Sequence, residues 1–341
     1  MVSALITTYN SARFLARCID SLQRQTYKPL EIIVVDNCST DETRAILEGL
    51  RTEIRVIFND TNVGFAAGQN QAARAAKGSW LFSVNPDVLL EADFIAQLVA
   101  AGDLDPTFGA VCGKLLRWNP DHESEFSQTI DSTGIYFTPN LRHLDRGADQ
   151  ADQGQYEQPE LVFGATGAAA LYRRSMWEDV SVEGEFFDEQ FFAYREDADV
   201  AWRAQLMGWK CLYVPEARGW HVRRVTPERR QNLPLAINFH SIKNRFLMRA
   251  KNIGGALYRR VWFPVAIRDA QVVGYCLLVA PKLFPALWQV WRARRDFRRK
   301  RQIIQARRRV SDAELLHWFA YSPVSVPITL PNAKQRSDSA C

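Results

Sequence analysis

Along the first hundred residues, short apolar runs alternate with stretches in which apolar side chains recur every three or four positions. Ser3–Thr7, Glu31–Val35, Arg55–Phe58 and Trp80–Val84 are rich in β-branched and aromatic residues and read as strands. Between and after them, Ala12–Gln25, Thr43–Leu50, Ala66–Ala76 and Ala92–Ala101 carry helical periodicity. Strand–helix alternation at this spacing predicts βαβ units and an α/β fold: a Rossmann-like, mostly parallel, doubly wound sheet.

The pattern loosens after the fourth strand. Residues 119–160 are polar and rich in Asp, Gln and Gly, and read as irregular excursions from the sheet. Leu161–Ala170 (LVFGATGAAA) is a small-residue stretch that allows close backbone approach. A helical turn near Arg174–Asp179, the aromatic run Phe186–Tyr194, a helix from Glu196 to Met207 closed by Gly208, and a short strand at Lys210–Val214 follow. Beyond about Asn232 the pattern is helical and aromatic. The stretch after Tyr321 holds three prolines and polar residues and reads as loosely ordered.

Charge changes the picture only locally. The chain of 341 residues carries a formal +5, but residues 292–309 hold ten Lys or Arg and one acid, a local +9 that leaves about −4 elsewhere. The basicity belongs to one segment, so it reads as a surface-anchoring feature and not as a nucleic-acid-binding face. Six cysteines without CxxC pairs argue against structural zinc and a disulfide framework, and fit a reducing cytosol. The N-terminus shows no basic leader or cleavage site; Val2–Thr7 reads as the first strand. The longest apolar stretch, Val272–Trp291, is broken by Pro281, Lys282 and Pro285, which argues against a spanning helix.

Candidate chemistry collects where strands of such a sheet end, the edge at which ligands bind. Thr8, Tyr9 and Asn10 follow the first strand, Asp36 the second, Asn85 and Asp87 the fourth. Gly64 and Gly68, in NVGFAAGQN, join the third strand to a helix. This is neither the G-x-G-x-x-G dinucleotide fingerprint nor a P-loop, which disfavours nicotinamide and P-loop chemistry. A helix start there can face a diphosphate, and tight helix packing accounts for the glycines equally well. Asn85-Pro86-Asp87 alone is a good turn sequence. A strand-end Asp is also one of the one or two carboxylates that Mg2+ or Mn2+ needs beside substrate phosphates, with Asn85 a weaker neutral ligand. In FAYREDADVAWR, Glu196, Asp197 and Asp199 crowd a helix start that favours negative charge, and Asp199 with Arg203 suits a helix-surface pair. The flanking Phe191, Phe192, Tyr194 and Trp202 would desolvate a carboxylate, raise its pKa and make it a better general base. His221 reads as a structural residue or as one ligand of a mixed His/Asp metal site, with Arg223 and Arg224 placed to meet phosphates.

Taken in order, ALITTYN, IIVVDNCSTD, NVGFAAGQNQA and NPDVLL resemble glycosyltransferase family 2 enzymes of the GT-A fold. GATGAAALYRRSMWE, FFDEQFFAYREDADVAWRAQLMGW and VPEARGWHV resemble the rhamnosyltransferase-like branch of that family; the likeness spans about residues 2–224. The resemblance implies an inverting, metal-dependent transfer of a sugar from a nucleoside diphosphate donor. It assigns Thr8, Tyr9, Asn10 and Asp36 to the nucleotide's base and ribose. Asp87 matches the last Asp of the family's DxD element, which binds Mg2+ or Mn2+ at the diphosphate, and Asn85 stands where its first Asp would be. Asp197 matches the catalytic base, with Glu196 beside it, and His221 matches a His that completes the metal site. Gln69 departs from a pair of asparagines common in the family.

Three domains are expected: a catalytic domain over 1–230 (donor binding to about 118, acceptor and catalytic part beyond), a helical region over 231–320, and a tail over 321–341. Aromatic and aliphatic residues from Leu257 to Trp291 followed by ten basic ones suit a segment lying in an anionic membrane interface; a helical cap with a solvated basic face fits as well. The expected partners are a dTDP-rhamnose donor and a saccharide or polyprenyl-diphosphate-linked acceptor at the inner face of the cell membrane, in surface polysaccharide synthesis. A UDP-hexose donor, a nucleotidyltransferase and a non-catalytic glycan- or membrane-binding homologue are the alternatives, and a homo-oligomer is left open.

Overall fold

A computed structural model of the chain describes residues 1–120, 126–223 and 234–330. The first half keeps the expected alternation: β1 (Val2–Thr8), α1 (Ala12–Gln23), β2 (Leu30–Asp36), α2 (Thr43–Gly49), β3 (Arg55–Phe58), α3 (Gly64–Ala75) and β4 (Trp80–Val84). β1 pairs in parallel with β2 and β4, and β2 with β3. Alternate residues serve opposite faces. Val2, Ala4, Ile6 and Val34 pack in one core layer, Leu5, Ile33 and Val35 in the other. Burial on both faces is why these strands read as nearly continuous apolar runs.

A three-residue strand, β5 (Val88–Leu90), follows the Asn85-Pro86-Asp87 turn and delays the next helix, α4 (Phe94–Gly102), two residues past its expected start. The region expected to be irregular is largely ordered. β6 (Phe108–Trp118) leads into it; within it lie β7 (Phe126–Ser132), β8 (Ile135–Phe137), β9 (His143–Asp145) and the first residue of β10 (Glu160–Val162). Its strands are short and polar on one face, so period-2 alternation is hard to see in the sequence.

β11 (Ala169–Arg173) runs antiparallel between β4 and β6. Then come α5 (Arg174–Val180), α6 (Glu196–Leu206) and β12 (Lys210–His221). Gly208 takes φ +81° just past α6, the left-handed conformation expected of a helix-ending glycine. β12 is longer than the expected Lys210–Val214 because its ladder with parallel β6 resumes after a register shift between Val214 and Arg218, next to Pro215.

The C-terminal part consists of α7 (Leu235–Asn252), α8 (Gly255–Gly274) extended by a π turn at Tyr275–Val279, α9 (Phe284–Arg307), α10 (Asp312–Leu315) and β13 (Val326–Pro327). The sheet order is β13-β10-β12-β6-β11-β4-β1-β2-β3. Against the expectation of loose order after Tyr321, β13 closes the sheet edge on β10. Residues 331–341 of that tail lie outside the described residues.

The helical region is not a separate body. Phe191 and Trp202 of the catalytic part share one buried cluster with Leu247, Val261, Phe297 and Phe319. Below that cluster, Lys251 and Lys300, both buried, converge on Asp188 at 2.6 and 2.8 Å. Burial alone would raise the Asp188 pKa, but the two ammonium groups outweigh it and hold the carboxyl well below its ordinary range. The expected boundary at 230/231 lies outside the described residues. Packing does not follow it.

Candidate active site

The carboxyl ends of β1 and β2 are laced to each other. Asn10, at φ +51°, accepts the Thr40 N–H through its Oδ1 at 2.8 Å, and its own N–H donates to Ser39 Oγ at 2.9 Å. Asp36 is fully buried, and Ser39 donates to it from both Oγ (2.5 Å) and N–H (3.2 Å). Tyr9 stands half exposed beside them, while Thr8 Oγ1 is buried without a hydrogen-bond partner among the described residues. The four expected donor-binding residues therefore sit in one rim; two already hold loop residues, and Thr8 keeps an unanswered hydroxyl.

Gly64 and Gly68 are explained by packing. A Cβ on Gly64, at φ +87°, would come within 2.6 Å of the Phe192 ring and carbonyl; one on Gly68 would come within 2.5 Å of Thr7 Cγ2. The Ala66 N–H, in the first turn of α3, donates to the Phe192 carbonyl at 3.1 Å. Of the two readings of these glycines, the contacts account for helix packing: they bring α3 against β1 and against the turn before α6.

Asp87 and His221 are brought together by sheet register. β5 pairs antiparallel with the end of β12, placing Val88 opposite His221, and Val222 N–H donates to the Asp87 carbonyl at 3.1 Å. His221 Nε2 lies 3.5 Å from Asp87 Oδ1, and its Nδ1 is 2.8 Å from Asp131 Oδ2. Burial alone would lower the His221 pKa. The Asp131 and Asp87 carboxylates outweigh it and push the imidazole up to about 10. Asp131, in β7, is fully buried and also accepts from Arg223 Nη1 at 3.2 Å; Arg223 Nη2 bonds Asp145 in β9. Arg223 thus already pairs with two carboxylates, which its expected role at phosphates did not foresee; Arg224 lies outside the described residues. Asp131 and Asp145 were missed in the sequence because both fall in the stretch read as irregular.

Among the described residues, no three His, Cys, Asp or Glu side chains form a ready-made metal site. The donor set does fit a cation that arrives with its own ligands. Asp87 offers a carboxylate oxygen and His221 a ring nitrogen, and Asp131 holds the opposite nitrogen in the carboxylate–histidine arrangement common behind metal ligands. Such a cation must displace the His221 proton, so two protein ligands make a loosely held site. The Asn85 backbone N–H donates to the Ala168 carbonyl at 2.9 Å.

That same segment reaches the acidic helix start. Gly167 N–H donates to Asp197 Oδ2 at 2.9 Å, and Ala198 N–H to Asp197 Oδ1 at 2.7 Å. A side chain on Gly167 would press on the Asp197 carboxylate, and one on Gly164 would collide with Ala201. The small-residue stretch thus lets α6 lie on the sheet. Burial raises the pKa of Asp197 against the two N–H bonds, and Asp145 adds to the rise. Burial and the Asp197 charge likewise raise Glu196, whose Oε2 is buried without a hydrogen-bond partner among the described residues. Asp199 and Arg203 do not form the expected helix-surface pair. Both are buried, 3.0 Å apart, and Asp199 is held further by Lys251 (2.9 Å) and Asn252 (2.7 Å). They anchor α6 to α7 from beneath.

The turn entering α6 is strained. Phe192, Tyr194 and Arg195 all have positive φ, 67–73°, a conformation costly for side-chain-bearing residues. Asn244 of α7 holds it, donating Nδ2 to the carbonyls of Phe191, Ala193 and Tyr194 at 2.9, 2.9 and 2.7 Å. Arg195 reaches Ser241 O at 2.9 Å and His143 Nδ1 at 3.0 Å. Of the aromatics expected to frame the acids, Phe192 stacks on His240, and Phe191 and Trp202 face the core.

A doubly wound sheet with acids and a histidine at its carboxyl edge, extended by antiparallel strands and helices, is the GT-A architecture of nucleotide-sugar transferases. The glycosyl transferase family 2 model matches residues 3–181, more than half of the chain, and the protein belongs to that family. It is 27% identical over 251 residues (65% of this chain, 76% of the relative) to an N-acetylglucosaminyl-diphospho-decaprenol L-rhamnosyltransferase of Mycobacterium tuberculosis, in keeping with the rhamnosyltransferase-like branch. Its fold is like that of S. aureus TarS 1–349 in complex with UDP (TM-score 0.55, 18% identity, 89% of this chain and 88% of that one). It is also like the mannosyltransferase PcManGT of Pyrobaculum calidifontis in complex with GDP-Man and Mn2+ (TM-score 0.51, 17% identity, 93% and 87%).

Proposed function

We propose that this family 2 glycosyltransferase is an inverting enzyme that moves L-rhamnose from dTDP-rhamnose to a polyprenyl-diphosphate-linked saccharide. It would act at the inner face of the cell membrane in the synthesis of a cell-surface polysaccharide. The observation that carries the chemistry is the placement of Asp197, a carboxylate at the start of α6 fixed by two backbone N–H groups. Its raised proton affinity suits it to take the acceptor hydroxyl's proton as the oxygen attacks. The new C–O bond forms on the face of the anomeric carbon opposite the diphosphate, the bond to the diphosphate oxygen breaks, and one displacement inverts configuration.

Asp87 and His221 are the residues that would hold Mg2+ or Mn2+, which offsets charge on the departing diphosphate. Thr8, Tyr9, Asn10 and Asp36 would receive the nucleoside. The rhamnosyl donor and lipid-linked acceptor rest on the mycobacterial relative's name; neighbours solved with UDP, UDP-GlcNAc and GDP-Man show that the fold admits other donors.

The test is nucleoside diphosphate release from a panel of dTDP-rhamnose, UDP-hexoses and GDP-mannose, with acceptor, with and without chelator. Metal-dependent release fastest with dTDP-rhamnose is expected. Release driven best by a UDP-hexose would replace the donor, and no release from any donor by the folded protein would favour a non-catalytic binder.

A further inference from the structure

The buried side of α8 carries Leu257, Val261 and Val265, all in the core shared with the catalytic part. Asp269 ties the same helix to α7 through Arg249 at 2.5 Å and Arg245 at 3.4 Å. Gly255–Val279 is long and apolar enough to cross a bilayer by length and composition. Those contacts dock only one side of the helix on the protein; around Pro264, Trp262, Phe263 and Ile267 stand 53, 60 and 47% exposed. The apolar surface is most open at the turn into α9, where Leu277, Leu278 and Val279 are 53, 86 and 70% exposed.

α9 continues from that turn with an ordered stripe. Phe284, Trp288 and Trp291 are about half exposed and follow i, i+4, i+7 spacing, so they share one helix face. Arg295 and Arg298 extend the same line at i+11 and i+14, with Arg292 at its flank, all exposed. The other basic side chains of this segment are engaged: Arg299 with Glu183, Lys300 with Asp188, Arg307 and Arg309 with Asp179, and Arg308 with Asp312. Arg301 donates to the Ala250 carbonyl and Arg294 lies over Trp291. Arg292, Arg295 and Arg298 have no such partner among the described residues. Most of the +9 segment is therefore internal wiring, which narrows the anchoring surface expected from composition to three arginines.

We infer that the α8–α9 turn is a bilayer-docking surface, with Leu277–Val279 immersed in the acyl boundary of an anionic membrane. Trp288 and Trp291 lie at headgroup level and Arg292, Arg295 and Arg298 meet lipid phosphates. Trp291 and Arg298 are about 10 Å apart along the helix axis, comparable to the depth over which interfacial segments pass from acyl chain to headgroup. A second copy is the poorer occupant, because two such faces would oppose like-charged arginine stripes, whereas anionic lipid attracts them. The inference deepens the proposed lipid-linked acceptor: it keeps the catalytic edge at the surface where such an acceptor lies.

The test is flotation of the full-length protein, without donor or acceptor, on vesicles of phosphatidylglycerol and phosphatidylethanolamine against phosphatidylcholine alone. Tryptophan quenching by brominated lipid is followed in parallel. Binding to the anionic vesicles, weakened by salt and accompanied by quenching, is expected. L278E, and separately R292E/R295E/R298E, should each lower the bound fraction at least tenfold. A wild-type protein that stays in the soluble fraction with anionic vesicles overturns the inference. So does a wild-type dimer that L278E dissociates, because the turn would then be a contact between copies. Nucleoside diphosphate release in the same preparations separates the two readings. Vesicle binding without release leaves the surface and removes the transferase reading; release without vesicle binding does the reverse.

Discussion

Gly167 donates its N–H to the Asp197 carboxylate at 2.9 Å, while the adjacent Ala168 carbonyl receives the Asn85 N–H at 2.9 Å. One short segment thus fixes the acid at the start of α6 and the strand end that bears Asp87. Replacing Asp197 by Asn keeps the hydrogen-bonding shape but removes the proton acceptor. D197N should lower sugar transfer by about 10²–10⁴-fold with donor affinity nearly unchanged, read by turnover and by donor titration. A folded D197N protein with near-normal turnover would remove Asp197 as the base.

The raised pKa values of Glu196 and Asp197 set a pH dependence. A base must be deprotonated, so the acid limb of the rate profile should lie above the ordinary carboxylate range of about 4. Stability moves the other way. In that window the folded state binds more protons than the unfolded chain, so stability is highest below the ordinary carboxylate pKa. It falls as pH rises toward the folded values. E196Q should therefore raise the melting temperature at pH 8 and lose that advantage near pH 4, followed by thermal denaturation across pH. An advantage that grew on acidification would contradict the burial of an uncompensated Glu196.

Asp131 holds both His221 and Arg223. D131N should weaken divalent-cation affinity by about 10–100-fold, the usual cost of losing the group behind a ligating histidine. Cation titration monitored by thermal shift in the presence of nucleoside diphosphate measures it directly. Unchanged affinity would place the cation elsewhere.

The strained turn before α6 relies on Asn244, the only side chain among the described residues that bonds three of its carbonyls. N244A leaves those acceptors in a buried site and should cost about 2–3 kcal/mol of stability, measured by denaturant unfolding. G64A should act on the same turn from the other side, by driving Phe192 out of place. Both should lower the turnover number through displacement of Asp197.

Much of the donor-side fold was legible because parallel, doubly buried strands write themselves as apolar runs. β1 to β4 fall within a residue of their expected ends. The Asp87–His221 pair was legible only as two residues of suitable chemistry; the β5–β12 register that joins them spans over a hundred residues and leaves no local trace. Asp131 was invisible for a related reason. A buried carboxylate in a polar stretch looks like any turn acid until its partners His221 and Arg223 are placed around it. Asp199 shows the opposite error: i,i+4 spacing with Arg203 identifies a pair and says nothing about whether water or Lys251 lies beyond it.

The Lys251–Asp188–Lys300 contact has a practical meaning for how this chain can be divided. Asp188, together with Asp199 on Lys251 and Glu185 on Lys300, balances two ammonium groups carried by α7 and α9, so removing either side strands buried charge on the other. A fragment ending near residue 230 would expose the face that holds the turn into α6. It would also leave Asp188 with no cation to answer it. Asp188 lies just beyond residues 3–181, the stretch that the family model matches, so the buried contact ties the C-terminal helices to the turn before α6, and exchanging those helices between relatives will succeed only where this junction is exchanged with them.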